Sequence, residues 1–426
     1  MFLLRCTWLF LLAISIAHAN ISPQDMANYK HSWLAQTLQF QRAIDMNAPL
    51  NEATFIGTHN SENAVAYQIP FVRYVDPNQQ LSIYDQLEVG VRSIEFDVHW
   101  YNDLHFSKDI LLCHGLNNHV GCSVFDRPVK EGLAEMKTWL SENPGEVVIL
   151  YFDKTLDGHE PRLAAYLNEQ LGQFIYKPKT NSAHSCQSLE PQLRKADILA
   201  AHKQLVIITK RCDETAYQEQ DRFPFYWNDY VYAGMGHSPN NEFNFLDSSY
   251  GADFNDFPSC AKQTVFVDDP AHENVWRIFE DRTILSSIGK PTRKLYAQDV
   301  KNLLRCNINW PTLDMLILND DRLTAMVWTW AQGYPKQDLG VCIYAENNVG
   351  MKNAPCNRTL SSFACQNSED KTFALVNMGG TWDKGEDYCQ SKGPAWHFSM
   401  PLNAGEMYRL NALLVPNQEV WLNHKI

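Results

Sequence analysis

The sequence has little positive charge, no Cys-x-x-Cys pair and, beyond its first residues, no long apolar run. Lysine and arginine number 36 against 49 aspartates and glutamates, which gives a formal net charge of −13. An acidic chain is unsuited to polyanions, so nucleic acid is excluded as a main partner and a broad basic membrane-docking face is disfavoured. The absence of Cys-x-x-Cys weakens a thiolate metal site. The absence of a second run of about 18 apolar residues argues against a transmembrane segment.

The N-terminal segment is apolar but short. Arg5 precedes an almost wholly apolar run at residues 8–16, and Ala-His-Ala at residues 17–19 has the small residues of a cleavage site. This pattern predicts a signal peptide over residues 1–19 and not a membrane anchor. We therefore expect a secreted protein, either extracellular or periplasmic.

The cysteines agree with export. Eleven are present, and Cys6 lies in the predicted signal peptide, which leaves an even number. An even set in an oxidising compartment is typical of disulfides. Close spacing suggests that Cys113 pairs with Cys122 and Cys342 with Cys356, although the sequence leaves other connectivities open.

Apolar strands alternate with amphipathic helices over much of the chain. The pattern predicts helices at residues 22–46, 126–143 and 295–304, and strands at residues 53–57, 91–98, 146–152, 205–208, 315–318 and 326–330. Strands that are apolar on both faces and alternate with helices indicate a parallel sheet covered by helices. Polar residues collect where these strands end, as they do in a (β/α)8 barrel. We expect an α/β fold with a TIM-type (β/α)8 barrel over residues 20–330.

The last quarter of the chain has a different composition. Glycine and asparagine become frequent, and four cysteines lie close together in this region. Small modules often depend on disulfides because their cores are small. We expect residues 331–426 to form a small disulfide-rich module.

Three segments carry the residue types of a catalytic centre. They are FIGTHNS at residues 55–61, SIEFDV at residues 93–98 and LCHG at residues 112–115. His59 and His114 can act as an acid/base pair because imidazole titrates near neutral pH. Glu95 and Asp97 share one face of a strand and, with the amide of Asn60, form a set of hard oxygen donors. This combination suits the cleavage of a phosphate ester.

These three segments, followed by VILYFD at residues 148–153, resemble the catalytic X region of phosphatidylinositol-specific phospholipase C. The resemblance is clearest over residues 53–154. It implies a TIM-type barrel that cleaves the phosphodiester between inositol and a lipid glycerol. It also implies that His59, His114 and Glu95 are catalytic, with His114 protonating the departing glycerol oxygen.

The resemblance favours the metal-dependent branch of that family. Metal-independent members place an arginine two residues after the first acid, where this chain has Asp97. A second carboxylate repels phosphate unless a cation lies between them. The resemblance therefore implies Ca²⁺ as cofactor, held by Asn60, Glu95, Asp97 and Asp153. Asp153 stands where a glutamate is usual.

Several other residues are weaker candidates. Lys210 and Arg211 follow a predicted strand and are candidates for contact with the substrate phosphate, although an ordinary solvated strand end explains them equally well. Asp314 and Trp328 are candidates to line the mouth of the barrel, but we expect core and packing roles for both. We expect the three histidines that lack motif support to lie at the surface or in loops: His99, His105 and His119.

The C-terminal module has a fainter resemblance to C-type-lectin-like domains. The segments around residues 330–365 and 385–422 are similar to the closing and opening halves of such a domain, in reversed order. No acidic sugar-binding tripeptide follows Pro335. Carbohydrate binding is therefore one hypothesis for this module, and a structural cap is the alternative.

These observations favour a secreted, calcium-dependent phosphodiesterase that acts on phosphoinositides or glycolipid anchors at a membrane surface. Glycerophosphodiester phosphodiesterases and sphingomyelinase D-like enzymes also combine a Glu-x-Asp strand with two histidines, so they remain alternatives. A third possibility is a non-catalytic protein that binds glycans or host proteins.

Overall fold

The computed structural model describes residues 21–50, 52–177, 192–209, 225–226, 277–284, 294–305 and 308–426. The predicted signal peptide at residues 1–19 lies outside these residues. Within this part of the chain, no helix has both the length and the apolar character needed to cross a membrane.

A nine-stranded sheet forms the larger part of the structure. Its strands are β1 (Gly57–Thr58), β2 (Ser93–Asn102), β3 (Lys108–Leu112), β4 (Arg127–Pro128), β5 (Val148–Thr155), β6 (Leu205–Thr209), β7 (Phe225–Tyr226), β8 (Arg277–Phe279) and β9 (Trp310–Leu313). Seven strands run in the order β7-β6-β5-β2-β1-β9-β8, and all of these neighbours are parallel. The antiparallel β3 and β4 extend from β2. Among the described residues β7 and β8 remain edges, so the α/β fold is confirmed and the closed barrel stays a prediction.

Helices pack between and around these strands. They span Pro23–Lys30, Trp33–Ile44, Ile83–Val89, Val129–Glu142, Glu160–Leu171, Lys195–Ala200, Ala297–Arg305 and Asp321–Ala325. The helix predicted at residues 126–143 is confirmed, and it buries Leu133, Met136 and Leu140 against the sheet. Such apolar faces supply most of the stability of an amphipathic helix in a protein.

The single helix predicted at residues 22–46 is wrong in one respect, because two helices occupy this segment. The Ser22 hydroxyl accepts the amide hydrogen of Asp25 and begins the first helix. The Ser32 hydroxyl accepts the amide hydrogen of Ala35 and begins a second one. A serine that caps a new helix also marks the end of the previous one, because its own backbone is extended.

Two predicted strands near the end of the sheet are also wrong. Among the described residues, β9 is the last strand of the larger sheet along the chain, and it ends before Met315. Met315 has a positive φ of 52°, which a strand cannot continue through. Residues 326–330 are apolar but irregular. The amide of Trp328 donates to Gln41 Oε1 at 2.9 Å, so its hydrogen-bonding capacity is used outside a sheet. Trp328 has the packing role that was expected, since it is buried.

A second, six-stranded sheet lies in the C-terminal quarter. Its strands are β10 (Cys342–Glu346), β11 (Gly350–Ala354), β12 (Phe363–Asn367), β13 (Phe373–Val376), β14 (Trp396–Phe398) and β15 (Glu419–Lys425), with helices at Gly385–Gln390 and Ala404–Asn411. Disulfides join Cys342 to Cys356 and Cys365 to Cys389. The first pairing was predicted from spacing, and both agree with a disulfide-rich region.

The two sheets share one apolar core. Met400, Met407 and Leu410 of the C-terminal region belong to the same cluster of buried residues as the strands of the larger sheet. The indole of Trp33 donates to the carbonyl of Tyr334 at 2.7 Å and adds a polar contact. The boundary between residues 330 and 331 stays a prediction.

Candidate active site

The predicted site residues lie where neighbouring strands of the larger sheet end. His59 follows β1, and Glu95 and Asp97 lie on β2, which pairs with β1. Asp153 lies on β5 directly opposite Asp97 in the ladder. His114 follows β3, the strand that folds back along β2. The pairing of these strands therefore brings the five residues together at the same end of neighbouring strands.

Two unusual backbone positions shape the segment around His59. A Cβ atom on Gly57 would lie 2.6 Å from the Thr312 hydroxyl oxygen, so only glycine permits β1 to pack this closely on β9. Asn60 has a positive φ of 42°, a conformation that asparagine adopts more readily than most residues. The chain turns sharply at Asn60.

His59 is oriented by a buried carboxylate. Its Nδ1 atom lies 3.3 Å from Asp314 Oδ1, and its ring stacks on Phe279 with centroids 4.6 Å apart. Asp314 Oδ2 accepts hydrogen bonds from the Asn78 side chain at 2.9 Å and the Arg282 amide at 2.8 Å. Burial raises the pKa of Asp314 well above its ordinary value, and these two hydrogen bonds oppose that effect. Asp314 is buried, as expected, but it does more than pack, because it also contacts the candidate catalytic histidine.

His114 is held by an amide and a disulfide. Its Nδ1 atom lies 3.2 Å from Asn63 Nδ2, and the adjacent Cys113 is bonded to Cys122, the pairing that was predicted. Burial lowers the pKa of His114, and the nearby Asp97 carboxylate partly opposes this shift. An imidazole with a lowered pKa is a stronger acid and releases its proton more readily.

A third carboxylate connects the two histidines. Ligand atoms of Asp281, His59 and Asp314 lie within 4.8 Å of one another. Burial alone would raise the pKa of Asp281, but interactions with His59, Thr283 and His114 lower it below its ordinary value. Both imidazoles therefore interact electrostatically with Asp281, and hydrogen-bonding distances through Asn63 and Asn78 connect them in one site. No motif pointed to Asp281, because it lies more than 160 residues beyond His114.

The acid residues form a cluster beside the histidines. Glu95 and Asp97 are buried, whereas Asp153 is exposed. Burial raises the pKa of Glu95, with Arg277 and His59 opposing the shift. Burial raises the pKa of Asp97 well above its ordinary value, and the neighbouring Asp153 adds to this effect.

A buried arginine contacts Glu95. Arg277, on β8, forms an ion pair with Glu95 Oε2, and its Nε donates to the Thr312 hydroxyl at 3.1 Å. Its guanidinium lies 4.7 Å from the centroid of the Tyr151 ring. Position 97 holds an aspartate where metal-independent relatives have an arginine, but Arg277 brings a guanidinium to Glu95 from a strand 182 residues away. No local pattern indicated it.

The donor chemistry of the acid cluster fits a hard cation. Its carboxylates, and the amide of Asn60, offer only oxygen atoms of the kind that Ca²⁺ prefers. Both carboxyl oxygens of the nearby Glu62 are buried and have no hydrogen-bond partner among the described residues. Within that same part of the chain, however, the acid cluster does not bring three ligand atoms within 4.8 Å of one another. The carboxylates would have to converge to hold an ion.

Three further histidines have different environments. The expected surface position of His99 is wrong: it is fully buried, and its Nε2 atom lies 3.2 Å from Asp97 Oδ1. Its Nδ1 atom lies 3.0 Å from Nδ1 of His119, a half-buried residue that also contacts Asp157. His105 is exposed, as expected. Lys210 and Arg211 lie outside the described residues.

Comparison with known proteins agrees with this geometry. A family model described as the Rv2075c PI-PLC-like domain matches residues 13–320. The protein Rv2075c of Mycobacterium tuberculosis is 26% identical over 423 residues, covering 93% of this chain and 80% of that protein. A PI-PLC X domain-containing protein of Arabidopsis thaliana, At5g67130, is 34% identical over 116 residues, covering 27% of this chain and 26% of that protein.

Among solved structures, phosphatidylinositol-specific phospholipase C from Listeria monocytogenes matches with a TM-score of 0.41 and 14% identity, covering 68% of this chain and 97% of that chain. The family model spans well over half of the sequence, and the site residues at 59, 95, 97, 114 and 314 all lie within it. The chain belongs to the family of Rv2075c PI-PLC-like domains.

Proposed function

We propose that this protein is a phosphodiesterase of the phosphatidylinositol-specific phospholipase C type. Its substrate would be a phosphatidylinositol lipid or a glycolipid anchor, cleaved between phosphate and glycerol. The observation that carries this proposal is that two amide side chains join the imidazoles of His59 and His114 in one site. Asn63 Nδ2 lies 3.2 Å from His114 Nδ1 and donates to Asn78 Oδ1 at 2.8 Å, and Asn78 Nδ2 lies 3.3 Å from His59 Nδ1. Each imidazole also has its own positioning partner, Asp314 for His59 and Asn63 for His114.

His59 suits the role of general base. Asp314 Oδ1, 3.3 Å from Nδ1 of His59, would favour a proton on Nδ1, and Nε2 would then take the proton of the inositol 2-hydroxyl. The hydroxyl oxygen then bonds to phosphorus as the bond from phosphorus to the glycerol oxygen breaks. The attack is intramolecular, so the reacting atoms are already close together. Glu95, which interacts with His59, stabilises the imidazolium that forms.

His114 suits the role of general acid. It gives its proton to the departing glycerol oxygen, so that diacylglycerol leaves as a neutral alcohol and a cyclic inositol phosphate remains. The lowered pKa of His114 favours this donation. Proton transfer of this kind typically contributes about 10²–10⁴-fold to the rate.

Calcium is part of the proposal as cofactor. Asn60, Glu95, Asp97 and Asp153 would hold Ca²⁺, and the ion would supply positive charge against the phosphate oxygens. The two acids that oppose each other across β2 and β5, Asp97 and Asp153, support this assignment because like charges at paired positions destabilise a sheet. The Arg277 side chain forms an ion pair with Glu95 and orients it. Any contact of Lys210 and Arg211 with the substrate phosphate also belongs to this proposal.

A surface of exposed apolar side chains supports action at a membrane. Phe71 is 95% exposed, and Leu116, Val120 and Phe125 lie in the loop that follows His114. Arg73 joins the two loops by donating to the carbonyl of Phe125 at 3.3 Å. We name Phe71, Leu116, Val120 and Phe125 the apolar rim. Exposed patches of this kind often mark membrane or partner contacts.

Export, barrel closure and glycan binding complete the proposal. Three disulfides among the described residues suit an oxidising compartment outside the cytoplasm. Closure of the larger sheet into a (β/α)8 barrel would place the site residues at the carboxyl ends of the strands. The C-terminal region would serve as a cap on the barrel, or as a carbohydrate-binding module.

The release of inositol phosphates from phosphatidylinositol vesicles tests the activity. We expect release with excess Ca²⁺, loss of release with chelator, and recovery when Ca²⁺ is restored. Equal turnover in chelator would refute the calcium assignment but would leave the acid/base roles of the two histidines standing. Parallel assays with glycerophosphocholine and sphingomyelin test the two alternative enzyme classes. If no diester is hydrolysed, the hypothesis of a non-catalytic binding protein is favoured.

Vesicle sedimentation tests the apolar rim. Phe71→Ser should reduce the bound fraction without lowering turnover of a water-soluble inositol phosphodiester. The matched control is Val415→Ser, since Val415 is 63% exposed in the C-terminal region. Equal binding by both variants would remove the rim from the proposal.

A further inference from the structure

Glu62 is a buried acid that no sequence motif explained. Its side chain is 0% exposed, and neither carboxyl oxygen has a hydrogen-bond partner in the part of the chain that the structure describes. A carboxylate without a partner is costly to bury. Such a residue is either a defect of the fold or one half of an interaction that needs a ligand.

Other fully buried acids in the protein show what a structural carboxylate has. Asp45 contacts Lys195 Nζ at 2.7 Å and the amide of Thr54 at 3.0 Å. Glu280 is paired with Arg322 and also accepts two backbone amides. Glu62 differs from both because its pairing is missing, although it is equally buried.

The neighbours of Glu62 are mainly negative. Asp97 is the ionisable group with which it interacts most strongly, and Glu95 adds to the repulsion. The backbone amides of Glu62 and Asp97 favour the charged form of the carboxyl group, but neither meets the geometry of a hydrogen bond to it. The Tyr74 hydroxyl, which also interacts with Glu62, donates its proton to the Leu112 carbonyl at 2.9 Å. The adjacent Ser61 is bonded to the acid strand, since its amide donates to the Glu95 carbonyl at 2.9 Å and its hydroxyl accepts the Glu95 amide at 3.1 Å. Glu62 therefore lies beside the acid cluster.

The positive charge near the cluster is directed elsewhere. Arg277 forms its ion pair with Glu95. The imidazoles of His99 and His114 contact or interact with Asp97. Within the described residues, no lysine or arginine forms a salt bridge with Glu62. One buried carboxylate is thus left for a cation that the protein itself does not provide.

We propose that Glu62 is a further ligand of the cation site and donates a carboxylate oxygen to Ca²⁺ beside Asp97. This inference rests on the calcium site of the proposed function. Carboxylates repel one another without an ion, which accounts for ligand atoms that do not yet converge within 4.8 Å in the described structure. A bound cation would attract both carboxylates and so offset their mutual repulsion, which would allow Glu62 and Asp97 to converge on it.

Calorimetric titration with Ca²⁺, in the absence of lipid, tests this assignment on the full-length mature chain. Glu62→Gln keeps the shape of the side chain and removes its charge, so we expect the Kd for Ca²⁺ to rise at least about tenfold. The matched control is Glu406→Gln, because Glu406 is a buried acid of the C-terminal region with its own hydrogen-bond partners. The control should bind Ca²⁺ like the wild type.

Thermal unfolding in chelator separates a ligand from a structural residue. Glu62→Gln should melt at the same temperature as the wild type or higher, because the carboxyl group has no hydrogen bond to lose among the described residues. It should also show a smaller rise of the melting temperature on addition of Ca²⁺. A variant that melts much lower in chelator, or fails to fold, would overturn the inference, since Glu62 would then be structural.

The two proposals fail in different ways. If the wild type binds Ca²⁺ and Glu62→Gln binds it equally well, the assignment of Glu62 is wrong and the calcium site stands without it. If the wild type shows neither heat nor a melting shift with Ca²⁺, the calcium site itself is wrong, and the inference is overturned with it.

Discussion

Replacing Asp314 by asparagine should disable His59 without removing it. Asp314 Oδ2 accepts hydrogen bonds from the Arg282 amide and Asn78 Nδ2, at 2.8 and 2.9 Å. In Asp314→Asn these two donors require the amide oxygen at the same position. The amide NH2 then faces His59 Nδ1, which lies 3.3 Å from Oδ1 in the native protein. His59 Nδ1 must accept, and its proton moves to Nε2, the atom needed as base.

The expected loss is large and specific to the chemical step. A base held in the wrong tautomer loses about 10²–10⁴-fold in kcat, which corresponds to about 3–5 kcal/mol of transition-state stabilisation. Asp314 acts through His59, so it is a positioning residue and KM should change little. The alkaline and acid limbs of the pH profile should also move, which a purely structural role would not produce.

Steady-state release of inositol phosphate from vesicles measures this effect. Asp299→Asn is the matched control, since Asp299 is a buried acid that accepts the amide of Tyr296 at the start of a helix. Circular dichroism and thermal unfolding should show that both variants fold. A folded Asp314→Asn enzyme with kcat within about threefold of the wild type would refute the tautomer argument.

Further variants test the site and one buried acid outside it, Asp126. His114→Ala should lower kcat by about 10²–10⁴-fold with the fold intact, as steady-state assays and circular dichroism would show; near-native turnover would contradict its acid role. Arg277→Met should lower the free energy of unfolding by about 3–5 kcal/mol in urea, because Glu95 stays buried without its cation. Adding Glu95→Gln should restore most of that loss, and a double variant no more stable than Arg277→Met would exclude the coupling. Burial raises the pKa of Asp126 from 3.8 to about 7, so this acid favours folding below about pH 4 and loses that contribution as the pH rises towards 7. Asp126→Asn cannot ionise, so its stability relative to the wild type should increase by up to about 4 kcal/mol between pH 4 and 8; a constant difference would contradict the shift.

Local patterns were sufficient for much of the fold. The helix at Val129–Glu142 and the strands at Val148–Thr155 and Leu205–Thr209 follow from apolar periodicity, which depends only on neighbouring residues. The end of the helix before Gly90 follows from that glycine, whose φ is 115°. The errors at residues 315–318 and 326–330 came from apolar segments that are buried without being strands, because burial alone does not specify backbone conformation.

The sequence indicated the candidate site residues that lie in short motifs, but not the partners that contact them from distant strands. His59, Glu95, Asp97 and His114 lie within a few residues of strands, and an alternation of period two was enough to place both acids on one face. Spacing also identified the disulfide between Cys113 and Cys122 beside His114. Each of these features depends on short-range geometry.

The partners of these residues come from distant strands. Asp314, Asp281 and Arg277 reach His59, His114 and Glu95 because β9 pairs with β1, and β8 with β9, in one particular register. That register depends on the packing of the whole core, and no short segment contains it.

The isolation of Glu62 has the same origin. Nothing in the sequence distinguishes Glu62 from a solvated glutamate. Only folding buries its carboxyl group where no described residue offers a hydrogen bond. The local sequence determines which reactive groups are present and which face of a strand carries them. The free energy of each group, and thus what it can bind, depends on the charges and solvent that the complete fold places around it.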